Sequence, residues 1–330
     1  MGTAQIGGDY VYDFLSLPAS ARETALGSSL ITIADEDLSL AYANPALLND
    51  TMHNRIVFNH NFLFADITNG YAAYAFALPK YAITLHGGIK YIDYGDFDLA
   101  DLFGNINGNF QANEWSAHLG LSKKLNNRFS IGTNLKYIRS QLAGYNSSGI
   151  AADIGALFSI PESGFSIGVS LRNIGAEIST YRSENGLSPV DLQLGVSKKL
   201  RYLPFRFSVI AHSLHRWELR YDSPLDQEVD IFGQVIEQSD FGQFVDNLFR
   251  HFIFNGELLL GRNQNFRLRI GYNHQRRKEL SVSSFRSLGG FSFGFGLKVS
   301  KFRLDYGVGH YHLAGGANHL SVSIDLDDFL

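Results

Sequence analysis

The 330-residue chain has no cysteine, two methionines, two tryptophans and seven prolines. Without cysteine there are no disulfides, no thiolate zinc sites and no cysteine nucleophiles. Charge is scarce too: 18% of residues, against about a quarter in ordinary soluble domains. The net charge is −4 and no basic run occurs, so no nucleic-acid partner is expected. No stretch approaches the ~18 consecutive apolar residues of a transmembrane helix. The longest candidate, Tyr71 to Leu78, is strand-sized. Met1-Gly2-Thr3 shows neither a basic n-region nor an apolar h-region, so the chain is expected to be a mature form freed of its signal. What is plentiful is glycine (33), phenylalanine (26) and tyrosine (16). That composition suits a β-sandwich or a membrane barrel, and barrels exceed the usual length of one domain.

From about residue 55 the sequence alternates. In Phe302-Arg303-Leu304-Asp305-Tyr306-Gly307-Val308 the even positions are apolar and the odd ones polar or glycine. The same period recurs in Phe129 to Tyr137, Phe165 to Leu171, Phe266 to Asn273 and Phe291 to Val299. A period of two sets one face against apolar surroundings and the other against polar ones. About fourteen such runs are expected, over 55–64, 70–78, 81–91, 112–123, 128–140, 147–159, 165–174, 188–199, 205–216, 252–262, 266–276, 288–299, 302–312 and 316–326. Most approach the ~9–11 residues that a tilted membrane strand needs, and an even count fits a bacterial barrel.

The connections separate barrel from sandwich. Short ones, such as Pro79-Lys80, Asn126-Asn127 and Ser300-Lys301, alternate with long ones near 92–111, 141–146, 175–187, 217–251 and 277–287. Outer-membrane barrels have short periplasmic turns and longer outside loops. This registration predicts periplasmic termini and extracellular long loops. An aromatic follows each short turn (Tyr81, Phe129, Phe165, Phe205, Phe266, Phe302), as an interfacial girdle requires. The opposite face would line the lumen with Arg206, Arg267, Arg269 and Arg303, besides Asn134, Lys136, Arg172 and Asp305. Arginine at a lipid-facing midplane would cost about 2–4 kcal/mol, so that face belongs inside. Inward glycines such as Gly132, Gly168, Gly271, Gly294 and Gly296 suggest strands packed closely on something in the lumen. Arginine in place of outward Phe293 or Leu297 should be damaging; small substitutions at inward Ser292 or Gly296 should be mild.

Two segments depart from the pattern. Residues 1–54 do not alternate and are too apolar for a solvated tail, so they read as a plug inside a barrel of residues 55–330, with a periplasmic arm as the competing reading. Within them Asn44 followed by Pro45 marks a helix start. In the loop 217–251, Phe241, Phe244, Val245, Leu248 and Phe249 recur at helical spacing, and Asp240 with Gln243 resembles a capping box. Such a helix could cap the mouth, lie on the membrane, or dock a partner through those five apolar residues.

Catalytic and metal signatures are weak. His310 and His312 share a strand face, with His319 across the hairpin at the expected outer rim, but polar residues are cheap there. Asp93, Asp96, Asp98 and Asp101 lack the EF-hand pattern. Gly27-Ser28-Ser29 and Gly164-Phe165-Ser166 are not nucleophile elbows, and no glycine-rich phosphate loop occurs. No enzyme activity, metal or cofactor is expected.

The opening Phe14-Leu15-Ser16-Leu17-Pro18-Ala19-Ser20-Ala21-Arg22, then Ala25-Leu26-Gly27, Asp35-Glu36-Asp37-Leu38 and Tyr42-Ala43-Asn44-Pro45-Ala46, resembles the PorV/PorQ family. These are FadL-like outer-membrane barrels of the type IX secretion system. The compact length and the opening are more similar to the PorQ branch than to the longer PorV branch. The resemblance implies a fourteen-stranded all-β barrel in which Ala21, Arg22, Gly27, Asn44, Pro45 and Ala46 are structural parts of a plug. It further implies a non-enzymatic role in the outer membrane. There the barrel would anchor a PorZ-like surface protein of the attachment complex, beside PorU- and PorV-like members and membrane lipid. The alternatives are a FadL-like transporter of hydrophobic small molecules, which shares the fold, and a diffusive porin. Fold alone does not choose between them.

Overall fold

A strand with one apolar face needs a partner on each edge and something apolar beyond that face. In a bilayer no edge can stay open, because each unsatisfied backbone group there costs several kcal/mol. The computed structural model, which describes residues 10–101, 103, 105–181, 186–220, 239–261, 263–280, 288–312 and 315–329, meets that condition with a closed antiparallel ring. Its strands are β1 Arg55–Phe62, β2 Thr68–Leu78, β3 Ile83–Ala100, β4 Ile106–Lys124, β5 Phe129–Leu142, β6 Tyr145–Ile160, β7 Phe165–Ser179, β8 Asp191–Lys199, β9 Phe205–Ala211, β10 Phe252–Leu260, β11 Phe266–Asn273, β12 Phe291–Val299, β13 Phe302–His312 and β14 Gly315–Asp325. Each pairs with its sequence neighbours, and β1 closes on β14 from Arg55↔Asp325 to Phe62↔Asn318. Burial follows the alternation. On β13 Phe302 and Leu304 are exposed, whereas Arg303, Asp305, Gly307 and Gly309 are buried. The exposed row faces lipid.

The structure departs from the expected spans in several places. The connection expected to be long over 141–146 is a two-residue turn, Ala143-Gly144, because β5 and β6 pair up to Leu142↔Tyr145. The stretch 92–111 is strand. The β2–β3 ladder stops at Thr68↔Asp93 and the β4–β5 ladder at Ala112↔Leu142, yet β3 and β4 pair onward to Ala100↔Ile106 after a bulge at Asp93/Asp96. A two-stranded ribbon therefore projects beyond the ring. Both its faces are outside the barrel, so its side chains lose the clean alternation that marks the wall. The run expected over 266–276 ends as helix α3, His274–Glu279, because the Asn273 side chain accepts a hydrogen bond from the Arg276 amide and caps it. On the long-loop side β9 stops at Ala211 and β12 starts at Phe291, both shorter than expected. Helix α2, Asp240–Arg250, is capped by Ser239, whose hydroxyl accepts from the Gly242 amide, rather than by an Asp240–Gln243 box.

The interior of the ring is occupied by the N-terminal segment. A short helix α1, Ala21–Ala25, packs on β11 to β14, while the turn Pro45–Leu47 packs on β4 to β6 across the lumen. The Asn44-Pro45 start yields only this single 3-10 turn, capped by the Asn44 carbonyl, because the chain extends again at Leu48 (φ −56°, ψ 131°). Leu26, Leu30, Leu38, Leu40 and Leu47 are fully buried. At about 1.5–3 kcal/mol per buried leucine, residues 10–54 supply much of the apolar core, packed against inward strand residues such as Val57, Tyr71, Ile138 and Ile253. The wall is small where the segment touches it. A Cβ at Gly132 would strike the Pro45 backbone, and one at Gly307 the Ala21 carbonyl. Gly296 differs: its Cβ would strike the Asp305 carboxylate. The Ser292 hydroxyl accepts from the Gly27 amide at 2.9 Å and reaches the Ala25 carbonyl at 3.1 Å. Neither position is indifferent to small substitutions.

Candidate functional site

At the short-turn end of the lumen, one buried arginine organises a charge cluster. Arg22 Nε donates to Glu257 at 3.0 Å, Nη1 to Asp37 at 3.1 Å and Nη2 to Asp35 at 2.9 Å. Glu257 also receives Arg206 and, at 3.1 Å, Arg269. Asp305 receives Arg269 and, at 3.0 Å, Arg303. Arg267 lies 3.4 Å from Glu36, which also binds Lys298 at 2.8 Å. The four lumenal arginines selected from the sequence thus converge on one cluster, each from the second, fourth or equivalent inward position after a short turn. Burial raises the Asp35 carboxyl, but Arg22, Arg267 and Arg206 outweigh it and hold Asp35 well below the carboxylate range. Chemically the cluster fastens the N-terminal segment to the strands. Removing one partner of a buried ion pair costs about 3–5 kcal/mol, because the remaining charges stay buried. Nothing in the sequence alone marks Glu257 or the triplet Asp35-Glu36-Asp37 as its anions. The triplet looked like a family motif, and Glu257 is one carboxylate in an otherwise apolar run.

The other motif residues also make specific contacts. The Ala21 amide donates to Ser321 at 2.8 Å, and the Ala46 carbonyl accepts from Ser130 at 2.7 Å. Asn44 Nδ2 donates to the Ile31 carbonyl at 2.8 Å. Gly27 takes φ +83° against Ile253, where a side chain would be strained and crowded. His319, expected at the outer rim, is instead fully buried beneath α1 with Thr24 Oγ1 at 2.9 Å. The strand that carries it runs inward from the hairpin, so its fifth residue is already deep in the lumen. His310 faces the Phe291 carbonyl; the His312 side chain lies outside the described residues. No group of three metal-ligating side chains occurs among the described residues. Asp96 accepts from Gln111 and Asp101 from Asn105, both on the projecting ribbon.

Two concavities flank one irregularity in the wall. Between β6 and β7 the register jumps from Ala152↔Ile174 to Ile154↔Leu171, so Arg172 and Asn173 stand opposite Asp153 alone. Asn173 takes φ +56°, and its amide donates to the Asp153 carboxylate at 2.8 Å. Lys136 pairs with Asp153 at 2.8 Å and reaches Asn173 at 2.8 Å. Lys90, Lys136 and Arg172 surround the Tyr42 ring at 4.3, 4.4 and 5.6 Å. Outside this bulge lies an apolar concavity of about 1040 Å³, walled by Ile89, Leu119, Leu135, Tyr137, Ile150 and Ile174 with Lys136 among its lining. Inside it, toward the long loops, lies a polar cavity of about 340 Å³ lined by Asp13, Arg172, Asn173, Asp191, His212 and Arg216. The extra residue puts Arg172 and Asn173 on the inward side in succession, and beyond it the alternation resumes in the opposite phase at Ile174, which reads in sequence as the end of a strand.

Helix α2 stands apart from both. Phe241, Phe244 and Phe249 are exposed, Val245 and Leu248 half-buried, and Asn247 is buried. Residues 221–238 of the same loop lie outside the described residues.

No family model matches the chain, and no curated protein matches it. Solved structures do. The toluene transporter TodX of Pseudomonas putida aligns at 10% identity with TM-score 0.59, over 93% of this chain and 96% of that one. A Pseudomonas aeruginosa FadL homologue aligns at 10% identity with TM-score 0.50, over 93% and 98%. The fold is that of the FadL-like outer-membrane barrels. A TodX deletion mutant described as a monoaromatic hydrocarbon channel aligns similarly, at TM-score 0.53, 10% identity, and 93% and 97% coverage. At this identity the likeness is one of architecture.

Proposed function

We propose that the protein carries small apolar molecules across the bacterial outer membrane, leaving or entering the barrel sideways through the wall at the β6–β7 bulge. The observation that carries this reading is the apolar concavity on the lipid-facing side of that bulge, backed by a polar cavity on its lumenal side. The axial route toward the short turns is closed by the Arg22 cluster. The lateral route crosses the wall at the Asp153–Lys136–Asn173 contacts, and it delivers an apolar solute into lipid rather than into water. The architecture of the TodX transporter and the FadL homologue supports the same reading. In this reading the long loops face outward and the termini lie in the periplasm.

The test uses the chain's lack of cysteine. Ala152→Cys with Ile174→Cys places thiols on directly paired positions beside the bulge, on its lipid-facing side. In vesicles, uptake of naphthalene should fall on oxidation and recover on reduction. Equal uptake in both states would remove the lateral route.

A second reading is the secretion-system anchor, supported by the N-terminal resemblance to the PorV/PorQ family and by the projecting β3–β4 ribbon, which exposes Phe97, Leu99, Phe103 and Ile106. In that role the ribbon would hold a PorZ-like surface protein. Detergent extraction of the tagged chain should then recover a stoichiometric surface protein that is lost when 95–110 is deleted; recovery of the barrel alone rejects it.

A further inference from the structure

Helix α2 presents its two faces the opposite way from a lid packed on its own barrel. Its polar side meets protein: Asn247 donates to the Trp217 carbonyl at 2.7 Å and accepts from the Leu219 amide at 2.9 Å, and Asp246 pairs with Lys278 and Arg250, each at 2.9 Å. Its apolar side points away, with Phe241 77%, Phe244 51% and Phe249 44% exposed. Large aromatics in such a row destabilise a helix surface that meets only water. The row is also continuous with the lipid-facing wall. Phe249 packs on Phe252 at 6.3 Å between ring centroids, and Phe252 on Phe254 at 6.1 Å. Phe252 and Phe254 lie on the outward phase of β10, because Ile253 between them packs against Gly27 in the lumen. Trp217 joins the row beside Phe244 at 5.6 Å, and Tyr272 meets Phe291 at 4.8 Å on the neighbouring strands. The helix ends at Arg250, two residues before β10 begins at Phe252, and two residues span at most about 7 Å. It therefore lies at the level where the strand leaves the membrane.

We infer that α2 is an interfacial membrane helix, with Phe241, Phe244, Val245, Leu248 and Phe249 seated in the acyl–headgroup boundary of the leaflet at the long-loop end. The occupant of this face is lipid. A helix of this kind lies parallel to the surface with its apolar face a few ångströms deep. Its polar face stays pinned to the barrel rim by Asn247 and Asp246, and the aromatic belt of the wall continues along it.

Trp217, one of two tryptophans, reports on the helix through its contact with Phe244. In a Trp115→Phe chain it is the sole tryptophan. The protein is reconstituted in phosphatidylcholine–phosphatidylglycerol vesicles whose acyl chains are brominated at shallow or deep positions. Shallow bromines should at least halve the Trp217 emission, deep ones should leave it nearly unchanged, and aqueous iodide should have little effect. The triple variant Phe241→Glu, Phe244→Glu, Phe249→Glu should lose quenching by lipid and gain quenching by iodide, while the barrel keeps its heat-resistant mobility in detergent. Emission of the parent chain quenched by iodide and not by brominated lipid would overturn the inference. So would shielding that appears only in native outer membranes, which would assign the face to a protein. Lipid quenching that persists in the triple variant would show that another face makes the contact.

Discussion

Glu23 is a carboxyl placed where a carboxylate is poorly solvated. It is buried, its Oε2 accepts from the Ala19 amide at 2.8 Å, and burial pushes it up to about 7 against the pull of Arg172 and Lys90. A carboxyl raised above its unfolded value of about 4.3 favours the folded form most fully at low pH and loses that contribution as pH rises through the folded value. Amide-exchange protection of α1, corrected for the intrinsic rate, should therefore decline between about pH 4 and pH 7 on the scale of that shift and level off above it. Glu23→Gln keeps the acceptor and should abolish the decline; an unchanged profile would show that Glu23 is not the titrating group. Residue-level chemistry was only partly legible beforehand. Arg22 stood out because it sits in a motif, and the strand arginines because lipid would reject them. Glu257, Asp153 and Asn173 did not, since one polar residue on an inward phase looks the same whether it bonds a neighbour, the segment inside, or water.

At the scale of elements, the two faces of β12 fail in different ways. Phe293→Arg puts a guanidinium in lipid and should cost about 2–4 kcal/mol near the midplane. Gly296→Ala forces a methyl against Asp305, which Arg269 and Arg303 hold in place, and should cost about 1–3 kcal/mol by overpacking. Both should lower the midpoint of heat-induced mobility change on gels. A Gly296→Ala chain indistinguishable from the parent would mean the cluster yields easily. The alternation located every wall strand because lipid and lumen impose opposite demands on successive residues. It failed on the β3–β4 ribbon, on α3 and at the outer ends of β9 and β12, where neither environment is imposed and local capping and pairing decide. The Asn44-Pro45 signal shows the same limit: a sound cap specifies where a turn begins, and the packing space over Gly132 decides that it is one turn long.

For the whole molecule, ring closure, strand number and the outward apolar belt were readable, since they follow from one period sustained over nearly three hundred residues. The interior was readable only as a need for contents, announced by inward glycines. Which contents fit, and how the Arg22 cluster ties them to strands from β9 to β13, depends on contacts between residues as much as 262 positions apart. That separation bears on assembly in time. The segment that fills the ring is the first made, and its helix α1 rests on β11 to β14, which are made last. The β1–β14 seam closes the ring around that segment, whose helix α1 packs on β14 and its neighbours. Residues 10–54 thus serve as a mandrel: the finished sheet is closed about them, and its bore is fitted to their shape.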